Sequence, residues 1–178
     1  MADYIKERDG GVESDWTNII LSGGASEAIR SLLALVNDQR PGEKPVGVMI
    51  PIPQYPLYSA TIAEYGMHQI SYYLDEANEW ALDIDELERS LAESSAHCRP
   101  RVLCVINPGN PTGSILTRSN IAEIIKFARR HDLMLIADEV GTFSIGVHIG
   151  TFLTASLSNR SISITSTKKA PSFIRSSG

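Results

Sequence analysis

Four short segments hold residue types suited to gripping a flat, anionic molecule: SGGAS at 22–26, PIPQYPLY at 51–58, NPGNPTG at 107–113 and ADE at 137–139. Glycines at a helix start let the backbone approach an anion, and the free N–H groups there, with the positive end of the helix dipole, form a phosphate cradle. SGGAS offers that chemistry, against its plainer reading as a capped helix start; with no Lys after it and no GxGxxG spacing it is neither a P-loop nor a dinucleotide fingerprint. Tyr55 can lie flat on a planar ring, where stacking adds attraction beyond area burial, while Tyr58 reads as core. Asn110 can offer an amide donor to a bound oxygen, its two neighbouring prolines stiffening the loop; taken alone, the segment is a turn. Asp138 closes an apolar run. A strand-end aspartate is commonly a helix cap or a surface carboxylate, but beside a crevice it can pair with a buried cation. Glu139 reads as structural.

These segments need elements to hold them, and the pattern supplies strands and helices in alternation. Apolar runs at 46–50, 68–74, 101–106 and 133–137 predict strands, and the first, third and fourth are nearly continuous, as for strands covered on both faces. Ala25, Ala28, Ile29, Leu32, Leu33 and Val36 share one helical stripe, and Ile121, Ile124, Ile125 and Ala128 another. Pro56 suits the first turn of a helix ending near Gly66, and Asp83 with Glu86 predicts a reciprocal capping box before Leu87 and Leu91. Residues 37–46 read as a polar loop. The fold expected is α/β, a mostly parallel sheet with helices on both faces, whose ligands gather at the carboxyl ends of the strands.

Composition narrows the function classes. The chain has 178 residues, 43% of them apolar, enough for one domain with a core. A formal charge of −5 argues against a nucleic-acid partner, which needs a concentrated basic surface. No apolar run is long enough to cross a bilayer, and MADYIKERDGG at the start lacks a secretory core, so membrane partners are not expected and the cytoplasm is the default compartment, with the mitochondrion the alternative. Cys98 and Cys104 fit no metal or redox spacing and read as one buried and one surface thiol; the four histidines suggest neither metal nor triad.

In order and separation, SGGAS, PIPQYPLYSAT, CVINPGNPTG and ADEV resemble the fold-type I, class I/II aminotransferases that use pyridoxal 5′-phosphate (PLP). The wording of PIPQYPLYSAT, YYLDE, WALD and CRPRVLCVINPGNPTG is most similar to the alanine aminotransferase branch, over roughly residues 10–140. The resemblance implies amino transfer between L-alanine and 2-oxoglutarate, giving pyruvate and L-glutamate, in a homodimer. It also implies roles: Ala25 and Ser26 on the phosphate, Tyr55 stacked on the ring, Asn110 on the ring hydroxyl, and Asp138 on the ring nitrogen, keeping it protonated so that the ring absorbs an electron pair.

The composition changes at about residue 140. All 21 acidic residues precede it, against 12 Lys and Arg, whereas 141–178 holds four basic residues, nine Ser and five Thr. The expectation is therefore a partial PLP-binding large domain over 1–140 and a Ser/Thr-rich, basic, poorly ordered tail over 141–178. Gly141 stands where the family has a ring-binding Tyr. The Schiff-base lysine of the family lies in a Ser-rich motif some tens of residues past the Asp, and here the candidate is Lys168, within SITSTKK at 163–169. The small domain with the arginine that clamps the substrate carboxylate is not recognisable, so the chain is expected to be catalytically incomplete. Two other readings stand beside this one: a non-catalytic PLP-binding remnant or dimer partner, and another fold-type I enzyme such as an aminocyclopropane-carboxylate synthase.

Overall fold

The computed structural model describes residues 2–8, 11, 13, 15–140 and 161–166. Its elements alternate as the hydrophobic pattern predicts. Helix α1 (Ala2–Arg8) precedes α2 (Ala25–Val36), β1 (Val46–Ile52), α3 (Leu57–Glu64), β2 (His68–Tyr73), α4 (Ile84–Ser94), β3 (Arg99–Ile106), α5 (Arg118–Arg130), β4 (Met134–Val140) and β5 (Ser161–Ser166).

The five strands form one sheet in the order β2-β1-β3-β4-β5, and every neighbouring pair is parallel. Side chains alternate between its faces because the strand period is two. Val46, Val48, Ile50, Val102, Cys104, Ile106 and Ile136 meet Ile29 and Leu33 of α2 and Tyr58 and Ile62 of α3. Met49, Leu103, Val105, Leu135 and Ala137 point the other way, onto Leu87 and Leu91 of α4 and Ile124, Phe127 and Ala128 of α5. Burying each large aliphatic side chain contributes about 2 kcal/mol, so the two layers together hold the sheet between helices.

Local chemistry sets the boundaries. Thr117 Oγ1 accepts from the Asn120 N–H at 3.2 Å to start α5, and Pro56 stands immediately before α3. The polar loop ahead of β1 is tied down by Arg99, whose guanidinium lies 2.9 Å from Glu43 and donates to the Lys44 carbonyl at 3.0 Å.

Two expectations need correction. Asp83 does cap α4, accepting from Asp85 N–H, but Glu86 does not reach back to it: its carboxylate accepts from the Tyr73 N–H at 2.9 Å and pairs with Arg89. An unpaired donor on edge strand β2 is the stronger competitor for that carboxylate. Neither cysteine is a surface thiol; both are buried and free, Cys98 lying against Gly47 and Ile70. Residues 161–166 pair with β4 as the fifth strand, and SISITS carries the alternation of a strand inside a Ser/Thr-rich composition.

Candidate functional site

From β1 the chain moves outward through α3 to edge strand β2, then returns past β1 through α4 to β3. Because α3 covers one face and α4 and α5 the other, the connections diverge above the carboxyl ends of β1 and β3. Such a switch point is where open α/β sheets hold ligands. The β1–β3 register closes at Met49↔Leu103, and Pro51 further along has no N–H to extend it. In its place the Tyr72 hydroxyl, reaching over from β2, donates to the Cys104 carbonyl at 2.8 Å.

Asp138 stands at this edge. It pairs with Ile106 across β3 and β4, and its carbonyl accepts from the Asn107 N–H at 2.9 Å. It shares the strand face of Ile136, so it points toward the α2 and α3 layer, where the Tyr58 hydroxyl donates to Asp138 Oδ2 at 2.9 Å. Its residue surface is only 7% exposed. Burial pushes the carboxyl upward from its ordinary value and the Tyr58 hydrogen bond opposes that shift. A buried carboxylate of this kind favours a cationic neighbour.

Helices α2 and α3 run side by side in the same sense: Asn37, just past α2, donates to the Tyr65 carbonyl just past α3 at 2.9 Å, and Arg30 pairs with Glu64. The far end of α2 lies at the opposite edge of the sheet, where Arg99 donates to the Asp38 carbonyl. Its 12 residues span about 18 Å, which carries its start to the edge of Asp138. That start is Gly24, with φ +142°, a conformation that favours glycine, and no side chain caps it. Ala25 is half-buried against the α2/α3 core and Ser26 is exposed. The Glu27 carboxylate turns back from this first turn to accept from the Gly23 N–H at 2.7 Å, and the N–H groups of Ala25 and Ser26, which have no side-chain cap, are the ones suited to a bound anion.

The remaining predicted residues fall on the two loops of the same edge. Tyr55, 48% exposed, follows β1, and Asn110 lies exposed in the turn after β3. That turn is closed by Gly113 N–H to the Gly109 carbonyl at 2.8 Å and by Asn107 Oδ1 accepting from Leu116 N–H at 3.1 Å. Thr112 and Ser114 pack so closely over Gly109 that a Cβ there would lie 2.2 Å from Thr112 Oγ1. Lys168 and Gly141 lie outside the described residues. Strand β5, which precedes Lys168, ends at Ser166 paired with Val140, on the carboxyl edge that carries Asp138.

Tyr58, by its sequence a core residue, has a second part to play. It is wholly buried, but its polar end is part of the site. The available signal was its place three residues after Tyr55 at a helix start beyond a buried strand, since a buried tyrosine hydroxyl requires a partner.

A buried carboxylate that favours a cation, a helix start without a side-chain cap and a half-exposed tyrosine after β1 are residue types that suit a cationic ring nitrogen, an anion and a flat ring. The mostly parallel sheet between helices is the fold of the fold-type I PLP-dependent proteins. The chain belongs to the aminotransferase class I and II family, whose profile matches residues 1–155. Over 140 residues it is 56% identical to alanine aminotransferase 2 of Xenopus tropicalis and 56% identical to alanine aminotransferase 1 of Homo sapiens, in each case over 79% of the chain. It spans 26% and 28% of the length of these relatives. Among solved structures, the aromatic aminotransferase from Pyrococcus horikoshii OT3 superposes with a TM-score of 0.69 at 26% identity, over 91% of this chain and 41% of that one.

Proposed function

We propose that the chain is part of a PLP-dependent alanine aminotransferase, moving an amino group between L-alanine and 2-oxoglutarate to give pyruvate and L-glutamate. The observation that carries this reading is the buried Asp138 carboxylate at the switch point, on the sheet edge toward which α2 starts. The identity to alanine aminotransferases supports the substrate pair.

When bound, PLP supplies an electron sink for the pair released as the substrate's α-proton leaves. Asp138 holds a proton at the ring nitrogen. The first-turn N–H groups at Ala25 and Ser26, with the Ser26 hydroxyl, bind the phosphate, Tyr55 covers one face of the ring, and Asn110 donates to the ring hydroxyl. Lys168 is assigned as the amine that binds the cofactor covalently and moves the proton at the substrate carbon. We assign a homodimer, whose partner would cover exposed apolar residues such as Trp16, Ile20 and Leu21. No helix among the described residues is long and apolar enough to cross a membrane, and two free, buried thiols are in keeping with a cytoplasmic protein.

Borohydride reduction of the protein mixed with PLP, followed by peptide mapping, tests the assignment. A pyridoxyl adduct on Lys168 that Lys168→Ala abolishes is the expected result. An adduct elsewhere, or none, refutes the role of Lys168.

A further inference from the structure

The Tyr58 hydroxyl reaches Asp138 Oδ2 from the first turn of α3, while no hydrogen bond from the described residues reaches Oδ1. The turn that carries Tyr58 is braced along its length. Gln54 donates to Ser59 Oγ at 3.1 Å, Ser59 Oγ to the Pro56 carbonyl at 3.0 Å, and Ala60 N–H to the same carbonyl at 3.0 Å. Tyr55 sits at the start of this braced turn, with its carbonyl accepting from Tyr58 N–H.

Resting on the site reading above, we propose that Tyr58 is a positioning residue for the cofactor ring. Its hydroxyl holds Oδ2 so that Oδ1 is turned to the ring nitrogen, and its place one turn after Tyr55 ties ring stacking and ring-nitrogen pairing to a single rigid segment. A freely rotating carboxylate would present either oxygen, and the ring would lose one of its two references. The donor is insensitive to pH, because burial pushes the Tyr58 phenol far above its ordinary value. The other titratable groups coupled to Tyr58 are the Cys104 thiol and the Tyr72 phenol, which burial likewise drives upward and keeps neutral.

The test compares Tyr58→Phe with Tyr72→Phe in the full chain. Each removes one buried hydroxyl, but that of Tyr72 serves the Cys104 carbonyl. Two readouts are taken: the Asp138 carboxyl titration by 13C NMR without cofactor, and PLP affinity by absorbance titration. Tyr58→Phe is expected to raise the Asp138 midpoint and weaken PLP binding by roughly tenfold or more, as for loss of a hydrogen bond to a charged group. Tyr72→Phe is expected to leave both at wild-type values. A wild-type Asp138 midpoint in Tyr58→Phe, or an equal change in Tyr72→Phe, overturns the proposal. If Tyr58→Phe does not fold, the wild-type chain answers instead: a slowly exchanging Tyr58 hydroxyl proton whose resonance follows the Asp138 titration supports the proposal, and its absence overturns it. Wild-type PLP affinity in Asp138→Ala would instead sink the site reading, with the Tyr58–Asp138 coupling still measurable.

Discussion

The Tyr58 hydroxyl and the Asp138 carboxylate, 80 positions apart in the chain, meet across 2.9 Å inside the layer between the sheet and α3. The contact joins the helix that follows β1 to the strand two places away in the sheet, and so closes the gap left where β1 and β3 part. One bond thereby belongs both to the core and to the site.

Replacing Asp138 with alanine removes the buried anion that would partner a ring cation. Breaking a buried charge pair costs about 3–5 kcal/mol, so PLP affinity should fall by roughly two to four orders of magnitude. Absorbance titration checks this: a variant that keeps the near-visible cofactor band at wild-type PLP concentrations refutes the assigned role.

Asp138 also makes stability depend on pH. Its folded carboxyl titrates above the unfolded value, so the cofactor-free fold is favoured while the group is protonated, and that contribution is lost as pH rises through the raised folded value. Asp138→Asn, which keeps an acceptor for Tyr58, should therefore unfold at higher temperature than wild type near neutral pH. The difference should vanish below the unfolded carboxyl value. Thermal melts across the acid-to-neutral range, in the absence of PLP, show whether the two curves converge.

Gly109→Ala forces a Cβ against Thr112 Oγ1 and Ser114 Oγ, at 2.2 and 2.8 Å. Relieving that overlap moves the turn that carries Asn110, with a stability cost of about 1–3 kcal/mol as for other overpacked sites. Denaturant melts should register the loss and PLP titration a weaker Kd; a variant with neither change would mean that the turn has slack.

Leu33→Ala tests the layer that positions the helix start. Leu33 is wholly buried between α2 and the sheet, and truncating such a leucine costs about 2–5 kcal/mol. Urea unfolding should show the loss as a lower midpoint with an unchanged slope.

Much of the fold is legible along the chain because it rests on local periodicity. The stripe of Ile29 and Leu33, the unbroken run through Val102 and Ile106, and the stop between Pro56 and Gly66 each state their element within a few residues. Gly24 is likewise readable, since only local backbone geometry and the lack of a capping side chain are involved.

What the order of residues left open were choices between partners far apart in sequence. Glu86 has its capping geometry in sequence but takes the Tyr73 N–H once edge strand β2 lies beside it. Strand β5 exists because β4 offers Ser161–Ser166 an unpaired edge, a fact that a Ser/Thr-rich composition does not announce. Tyr58 has the composition of core in any local reading, and only the packing of α3 over the sheet brings its hydroxyl to Asp138. Periodicity and punctuation thus determine which elements form and which residues stand at their ends. Pairings across the sheet are decided when tertiary packing removes water from polar atoms and obliges each to find a partner.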